Sequence, residues 1–111
     1  MLFRSGLLDR RVNIRLREQE FGLLNGIAGQ SVAEHYPDVD ENYQRFKEQG
    51  GKFYAKNPCG ESRADVCDRV HMFSGTLKRD FEKHDVRDTI IVCHGTTQRA
   101  FVMEWMHYDV E

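Results

Sequence analysis

His94 and Gly95 lie between a short β-branched run at 90–92 and a segment with helical spacing that begins at Thr97. The β-branched run predicts a strand buried on both faces, and the apolar residues after Thr97 predict a helix. In an open α/β sheet, ligands bind at the carboxyl ends of strands, where the free N–H groups of a helix N-terminus favour anions. An imidazole can donate to a phosphoryl oxygen there, and a glycine lets the backbone approach it. The pattern therefore predicts a phosphate site, although His94 could instead only bond a neighbouring strand end.

Glu18 is a second candidate, as a general acid. A carboxyl group beside the apolar Leu16 and Phe21 could protonate a leaving alkoxide. Glu20 competes for the same role, and the alternative for both residues is a solvated surface charge.

Cys93 and Arg99 match C-x5-R, the pattern of cysteine-dependent phosphatases, in which a thiolate attacks phosphorus inside a loop of backbone N–H groups. The alternative is that Cys93 is a small core residue at the end of a strand. Cys67 and His71 share a helix face at i, i+4, but two ligands are weak evidence for a zinc site. Near a glycine turn, four residues could line a pocket for an anionic substrate or be ordinary loop and cap residues: Phe53, Tyr54, Lys56 and Arg63.

The elements that must position these residues follow from the hydrophobic period. Alternation over Arg11 to Leu16 predicts a half-buried strand, and 2–8 could be the tail of a helix or an unanchored end. Short helices are predicted at 31–35 and 40–48, and a long helix at 62–83. Apolar residues of the long helix step by three or four positions, which predicts a core of Val66, Val70, Phe73, Leu77 and Phe81.

Composition limits the class of protein. At 111 residues the chain is one domain, and 40% hydrophobic with 31% charged residues is typical of a soluble globular protein. A net charge of -2 and a pI near 6.2 provide no basic field for nucleic acid or an acidic membrane. Three unclustered cysteines do not make a disulfide framework, and no apolar run reaches the length of a membrane span. These features predict a cytoplasmic protein without a nucleic-acid or membrane partner.

Three blocks of sequence resemble the histidine phosphatase superfamily, which contains the cofactor-dependent phosphoglycerate mutases and their phosphatase relatives. In chain order they are LREQEFG at 16–22, NPCGESRADVCDRV at 57–70 and IIVCHGTTQRAF at 90–101. The resemblance implies a three-layer α/β/α sandwich around a mostly parallel sheet, and phosphoryl transfer through a phosphohistidine. It also implies a phosphorylated small-molecule substrate or inorganic phosphate as partner, with no cofactor and no metal.

The resemblance assigns roles to individual residues. Glu18 matches the family's acid, which protonates the leaving group, and His94 matches the second histidine, which holds the transferring phosphoryl group. Gly95 and Thr96 match the turn whose backbone binds the anion. The Glu61–Ser62 pair matches the segment before the long helix, with a structural rather than a catalytic role.

The family's first motif, an Arg-His-Gly triplet that supplies the phosphorylated histidine, has no match upstream of Glu18. Residues 1–111 are therefore expected to form a single histidine phosphatase-like domain that resembles the middle and C-terminal part of the family and is truncated relative to it. Loss of the first strand would remove the central member of the sheet, and a homodimer could cover the exposed faces.

The sequence thus predicts an α/β protein that acts as a hydrolase of phosphomonoesters or transfers phosphoryl groups, with Glu18 as acid and His94 binding the phosphoryl group. One alternative is a catalytically inactive remnant that serves as a phosphate-binding or dimeric interaction module. The other alternative is a cysteine-dependent phosphatase that uses Cys93 and Arg99.

Overall fold

The computed structural model describes residues 10–108, so the segment predicted at 2–8 lies outside the described residues. The described part contains four α-helices: α1 at Val32–His35, α2 at Pro37–Gly50, α3 at Arg63–Lys83 and α4 at Gly95–Met106. Short 3-10 turns lie at Ile14–Leu16, Gly22–Leu24 and Gly29–Ser31. Each predicted helix is confirmed, although α2 begins at Pro37 rather than Asp40 and α4 begins at Gly95 rather than Thr97.

Local sequence explains where these helices begin and end. Pro37 occupies the first turn of α2, where its fixed φ suits a helix and its missing N–H costs nothing, and Gly51 ends α2 with a φ of 77°. Helix α3 starts with a capping box. The Asp65 N–H donates to Ser62 Oγ at 3.1 Å, and the Ser62 N–H donates to Asp65 Oδ2 at 2.8 Å. The hydrogen bond from the Ser62 N–H to the carboxylate is the largest cause of a lowered pKa of Asp65, and the Ser62 side chain and the charge of Lys56 act in the same direction against burial.

The core lies between α3 and α4. Val66 and Val70 are fully buried there and pack with Ala100, while Phe101 covers the edge of the cluster. Phe101 stacks on Trp105 at a ring-centroid distance of 5.8 Å. Four of the five predicted core positions of α3 are buried, and the fifth, Phe81, is half-buried. The period of α3 therefore identified its packing face correctly.

The predicted three-layer α/β/α sandwich is wrong for the described part of the chain, because residues 10–108 are helical or irregular and contain no strand. The segment predicted as a half-buried strand at 11–16 ends in a 3-10 turn. The run at 90–92, predicted to be buried on both faces, exposes Ile90 to 83% and Val92 to 88%. A strand is stable only when its N–H and C=O groups pair with a neighbouring strand, and neither segment has one within 10–108.

The missing sheet leaves an open molecule. The radius of gyration is 17.2 Å, whereas a compact domain of this length has a radius of about 13 Å. Val12 and Ile14 are 90% and 73% exposed, like the β-branched side chains at 90–92. The structure thus consists of a small α3–α4 core to which the remaining segments are attached.

Matched substitutions test this distribution of burial. Val92→Ala removes an exposed side chain, so we expect the free energy of unfolding to change by less than about 0.5 kcal/mol. Val70→Ala makes the same change in the core and should cost about 1.5–3 kcal/mol, because a cavity remains. Urea denaturation followed by circular dichroism measures both. A loss for Val92→Ala as large as that for Val70→Ala would show that Val92 is buried.

Candidate functional site

Arg69 attaches the segment that contains Glu18 to helix α3. Its side chain is almost fully buried, and Nη1 donates to the carbonyl oxygens of Arg15 at 2.7 Å and Arg17 at 2.8 Å. Nη2 donates to the Glu18 carbonyl oxygen at 3.1 Å and to Glu61 Oε1 at 3.2 Å, and Nε donates to Glu61 Oε2 at 2.9 Å. One guanidinium therefore fixes the backbone of 15–18 and the loop before α3 together.

Glu61 connects the same two segments through its backbone as well as its carboxylate. Its N–H donates to the Glu20 carbonyl at 2.7 Å, and the Glu20 N–H donates to Glu61 Oε1 at 3.0 Å. Gln19 Nε2 donates to the Glu61 carbonyl at 2.9 Å. Burial alone would raise the pKa of Glu61, but the hydrogen bonds from Arg69 and Glu20 and the charges of Arg69 and Arg17 outweigh it and lower the pKa. The carboxylate is therefore held in its ionised form.

Two glycines let the backbones of these segments touch. Gly22 has a φ of +58°, and a Cβ on it would lie 2.1 Å from the Pro58 carbonyl oxygen. A Cβ on Gly60 would lie 2.5 Å from the Glu20 carbonyl oxygen. The Leu23 N–H donates to Pro58 at 3.0 Å across the same contact. Only glycine fits these two positions without moving backbone atoms.

Thr97 brings the Glu18 segment to the first turn of α4. This fully buried side chain donates from Oγ1 to the Arg17 carbonyl oxygen at 2.6 Å. Burial and, after it, the negative charge of Glu18 raise the pKa of the Cys93 thiol. The carboxylate of Glu18 thus acts on the residue next to His94, and the structure brings the proposed acid and the proposed phosphate site into one region.

His94 caps the N-terminus of α4 with its backbone, while its imidazole is exposed and has no hydrogen-bond partner within 10–108. The predicted alternative, a bond from His94 to a neighbouring strand end, is therefore not observed. The first N–H groups of α4, at Gly95, Thr96 and Thr97, have no acceptor within the helix, and no side chain caps them. A Cβ on Gly95 would meet nothing within 4 Å. Donors at the positive end of a helix dipole, beside a free imidazole, are suited to an anion.

The structure separates the two acid candidates. Glu18 is half-buried, and its Oε1 accepts from the Gln19 N–H at 2.9 Å. Glu20 is exposed, and its Oε1 accepts from the Gly22 N–H at 3.0 Å within the loop turn. Both carboxylates accept from a nearby backbone N–H, but the charge of Glu18 also acts on Cys93, the residue before His94.

The two cysteine-based interpretations gain little support. The raised pKa of Cys93 disfavours the thiolate that a cysteine-dependent phosphatase needs. Burial, followed by nearby acidic charges, also raises the pKa of Cys67. His71, the other residue of the predicted zinc pair, contacts Glu104 instead, with 2.5 Å between His71 Nδ1 and Glu104 Oε1. Between residues 10 and 108, no group of three or more His, Cys, Asp or Glu side chains is arranged to hold a metal ion.

The sequence patterns missed three residues whose hydrogen bonds join the segments of the candidate site: Arg69, Thr97 and Gln19. Arg69 lies one position before Val70 in the apolar stripe of α3, and a charged residue within a buried stripe signals a paired charge. Thr97 similarly lies one turn before the buried Ala100. For Gln19 we find no comparable signal in the sequence.

No helix of the described residues combines the length and the apolar character needed to cross a membrane.

The lowered pKa of Glu61 predicts how stability depends on pH. Its carboxylate stabilises the fold above the ordinary carboxyl pKa, and this contribution is lost as the pH falls through the lowered value, as is that of Asp65. Glu61→Gln should therefore be less stable than the wild type at pH 7, and its unfolding free energy should fall less steeply between about pH 5 and pH 3. Urea unfolding across this range measures the slope.

Asp65→Asn is the matched control, because it removes the contribution of the other lowered carboxyl group and leaves that of Glu61 in place. An unchanged pH slope in Glu61→Gln would contradict the role given to its ionised form.

Comparison with known proteins identifies the family of the chain. The family model of the histidine phosphatase superfamily, branch 1, matches residues 3–111. The phosphoglycerate mutase-like proteins AT74 and AT74H of Arabidopsis thaliana are 34% and 35% identical to the chain over 97% and 96% of its length. The broad-range acid phosphatase DET1 of Saccharomyces cerevisiae is 36% identical over 87% of the chain.

The matches cover 33%, 37% and 27% of these three relatives, so the chain spans about a third of their length. The family model nevertheless matches nearly every residue of the chain, including all three blocks that meet at Arg69 and Thr97. The chain therefore belongs to the histidine phosphatase superfamily, branch 1.

Proposed function

We propose that the chain binds a phosphate group at His94, Gly95 and Thr96 and hydrolyses phosphomonoesters or transfers their phosphoryl group, with Glu18 as the general acid. The observation that carries this proposal is the open N-terminus of α4. Its first N–H groups, which no side chain caps, and the His94 imidazole, which has no partner among residues 10–108, lie beside the segment of Glu18, which the Thr97 hydroxyl holds in place. Membership of a phosphatase superfamily supports the same conclusion.

Each group has a defined task in hydrolysis. The N–H groups of α4 and the His94 imidazole donate to the phosphoryl oxygens and stabilise the charge that develops on them. The bond between phosphorus and the ester oxygen breaks, and the leaving alkoxide takes its proton from the carboxylic acid of Glu18. Water supplies hydroxide to phosphorus and returns a proton to Glu18, so that the products are an alcohol and inorganic phosphate.

We place hydrolysis ahead of mutase-type transfer because loops that would shape mutase specificity are not recognisable in the sequence. One of the relatives carries the name of an acid phosphatase, while two are called phosphoglycerate mutase-like. The substrate class we propose is therefore a small phosphomonoester. The three cysteines, none of them in a disulfide, fit our further proposal of a reducing, cytoplasmic environment.

The second candidate is a phosphate-binding module that does not turn over substrate. The observation in its favour is that nothing upstream of Glu18 matches the Arg-His-Gly triplet, which leaves the chain without the usual nucleophilic histidine. A homodimer would cover the exposed apolar side chains of Val12, Ile14, Ile90 and Val92. Light scattering measures whether the chain forms one.

Turnover of a generic phosphomonoester such as p-nitrophenyl phosphate separates the two candidates. We expect His94→Ala and Glu18→Ala each to lower kcat/KM by about a hundredfold or more, since positioning and acid catalysis are both lost. Cys93→Ser should retain activity. That result would exclude a mechanism in which the Cys93 thiolate is the nucleophile. If turnover is present, acid-labile phosphate labelling locates any phosphohistidine.

If neither the wild type nor either variant turns over the substrate, the catalytic proposal is contradicted and the binding module remains. Equal activity in all three preparations would indicate a contaminating phosphatase.

Gly95→Ala separates phosphate binding from folding. The methyl group would meet no protein atom within 4 Å, so the melting temperature should stay the same or rise slightly. Phosphate should bind about tenfold more weakly, because the methyl group occupies the space before the free N–H groups. Shifts of the His94 imidazole resonances during an NMR titration with phosphate report this site.

Gly75→Ala is the matched control, since its Cβ would make only an ordinary contact with Arg79 at 3.5 Å within α3. It should leave the His94 titration unchanged. Phosphate affinity equal to that of the wild type in Gly95→Ala would place the anion elsewhere.

A further inference from the structure

A cleft of about 420 Å³ lies beside the candidate site and shares only Thr96 with it. It is bounded by the turn after α2, the first two turns of α3 and the first turns of α4. Phe53, Ala100 and Met103 provide apolar surface, and Thr96 provides a hydroxyl group. Glu18, His94 and Gly95 do not line it. The volume is within the range of small-molecule sites in proteins.

Three cations line this cleft, and each comes from a different element: Lys52, Arg63 and Arg99. The lining residues include no Asp or Glu, although the whole chain carries a net charge of -2. Within the part of the chain that the structure describes, none of the three cations forms an ion pair or a side-chain hydrogen bond. Like charges that converge without a counter-charge repel one another, so the arrangement favours an anion.

Two acidic residues near the start of α3 are already paired with other groups. Asp65 lies two positions after Arg63, but it caps α3 and contacts Lys56 at 3.8 Å. Glu61 is held by Arg69. The first turn of α4, which no side chain caps, also faces the cleft and adds the positive end of its helix dipole to the three side chains. The charged side chains that line the cleft are therefore all positive, while the nearby charges of Asp68 and Glu104 act on the lining residue Cys67.

A backbone hydrogen bond holds the cleft in shape. The Ala64 N–H, in the first turn of α3, donates to the Phe53 carbonyl oxygen at 3.0 Å and fixes the turn that carries Lys52. Phe53 packs edge-to-face on Tyr54, with ring centroids 5.0 Å apart. Of the sequence-predicted anion pocket, Phe53 and Arg63 do line the cleft, while Lys56 is turned toward Asp65 instead.

We propose that this cleft is a second anion site, which binds a compact polyanionic group such as a diphosphate independently of His94. Three cations from three elements suit a ligand with at least two negative charges rather than a single monoester. The arginines suit phosphate oxygens because their guanidinium groups donate in pairs. The apolar surface of Phe53 and Met103 would contact the uncharged part of an organic diphosphate.

The test uses inorganic pyrophosphate and the whole chain. Isothermal titration should show binding that Lys52→Gln and Arg99→Gln each weaken by about tenfold or more, because each removes a direct charge contact. Arg87→Gln removes the same charge from an exposed loop position and should keep the wild-type affinity. His94→Ala should keep it as well, which separates this site from the proposed phosphate site. Loss of pyrophosphate binding in His94→Ala, or an equal loss in Arg87→Gln, overturns the proposal.

Arg63→Gln separates binding from folding. It removes a cation from the positive end of α3, so the ligand-free chain should melt at the same or a higher temperature. The rise in melting temperature that pyrophosphate causes in the wild type should disappear. An undiminished rise in Arg63→Gln, or the same rise with sodium chloride at equal ionic strength, contradicts a specific site.

Discussion

The buried guanidinium of Arg69 is the interaction on which the rest of the site depends. A buried charge is costly unless it is paired and fully hydrogen-bonded, and here all three guanidinium nitrogens donate. The Arg17 carbonyl accepts from Arg69 and also from the Thr97 hydroxyl, so both of its lone pairs are used. One peptide oxygen therefore joins α3 to α4 as well as to the segment of Glu18. Removal of Arg69 would take the donor from the Arg15 and Glu18 carbonyl oxygens and would weaken the hydrogen bonding of the Glu61 carboxylate.

The blocks of sequence that carry the family resemblance are the segments that meet at this point. The first and second blocks touch through the backbones of Gly22 and Gly60, where a side chain does not fit. The second and third are joined through Arg69, the Arg17 carbonyl and Thr97. Residues far apart in the chain are thus recognisable together because they form one hydrogen-bonded contact. Glu18 lies within the first of these blocks and His94 immediately precedes α4 in the third.

The sequence predicted the helices because the information for them is local. Ser62 with Asp65, Pro37 and the apolar stripe of α3 each act within a few residues of their own positions. The strand predictions were wrong for the opposite reason. A β-branched run such as that at 90–92 forms a strand only where a second strand can pair with it. Arg69 was missed because the three carbonyl oxygens to which it donates lie 51 to 54 residues away in the chain. His94 and Glu18 were candidates from their local sequence and took their roles from the resemblance, whereas the contact that links their segments required the structure.

Helix α4 presents an N-terminal turn without a side-chain cap to the cleft, where the positive end of its dipole lies near three cations. Positive charge that lacks a counter-charge is unfavourable, and the two acids near the start of α3 are held by other groups. Glu61 neutralises Arg69 and Arg17, and Asp65 caps its own helix. The uncompensated donors at this end therefore include the first N–H groups of α4 and the cations of the cleft. An anion from solution is the counter-charge that remains, which is why the phosphate site and the polyanion cleft adjoin.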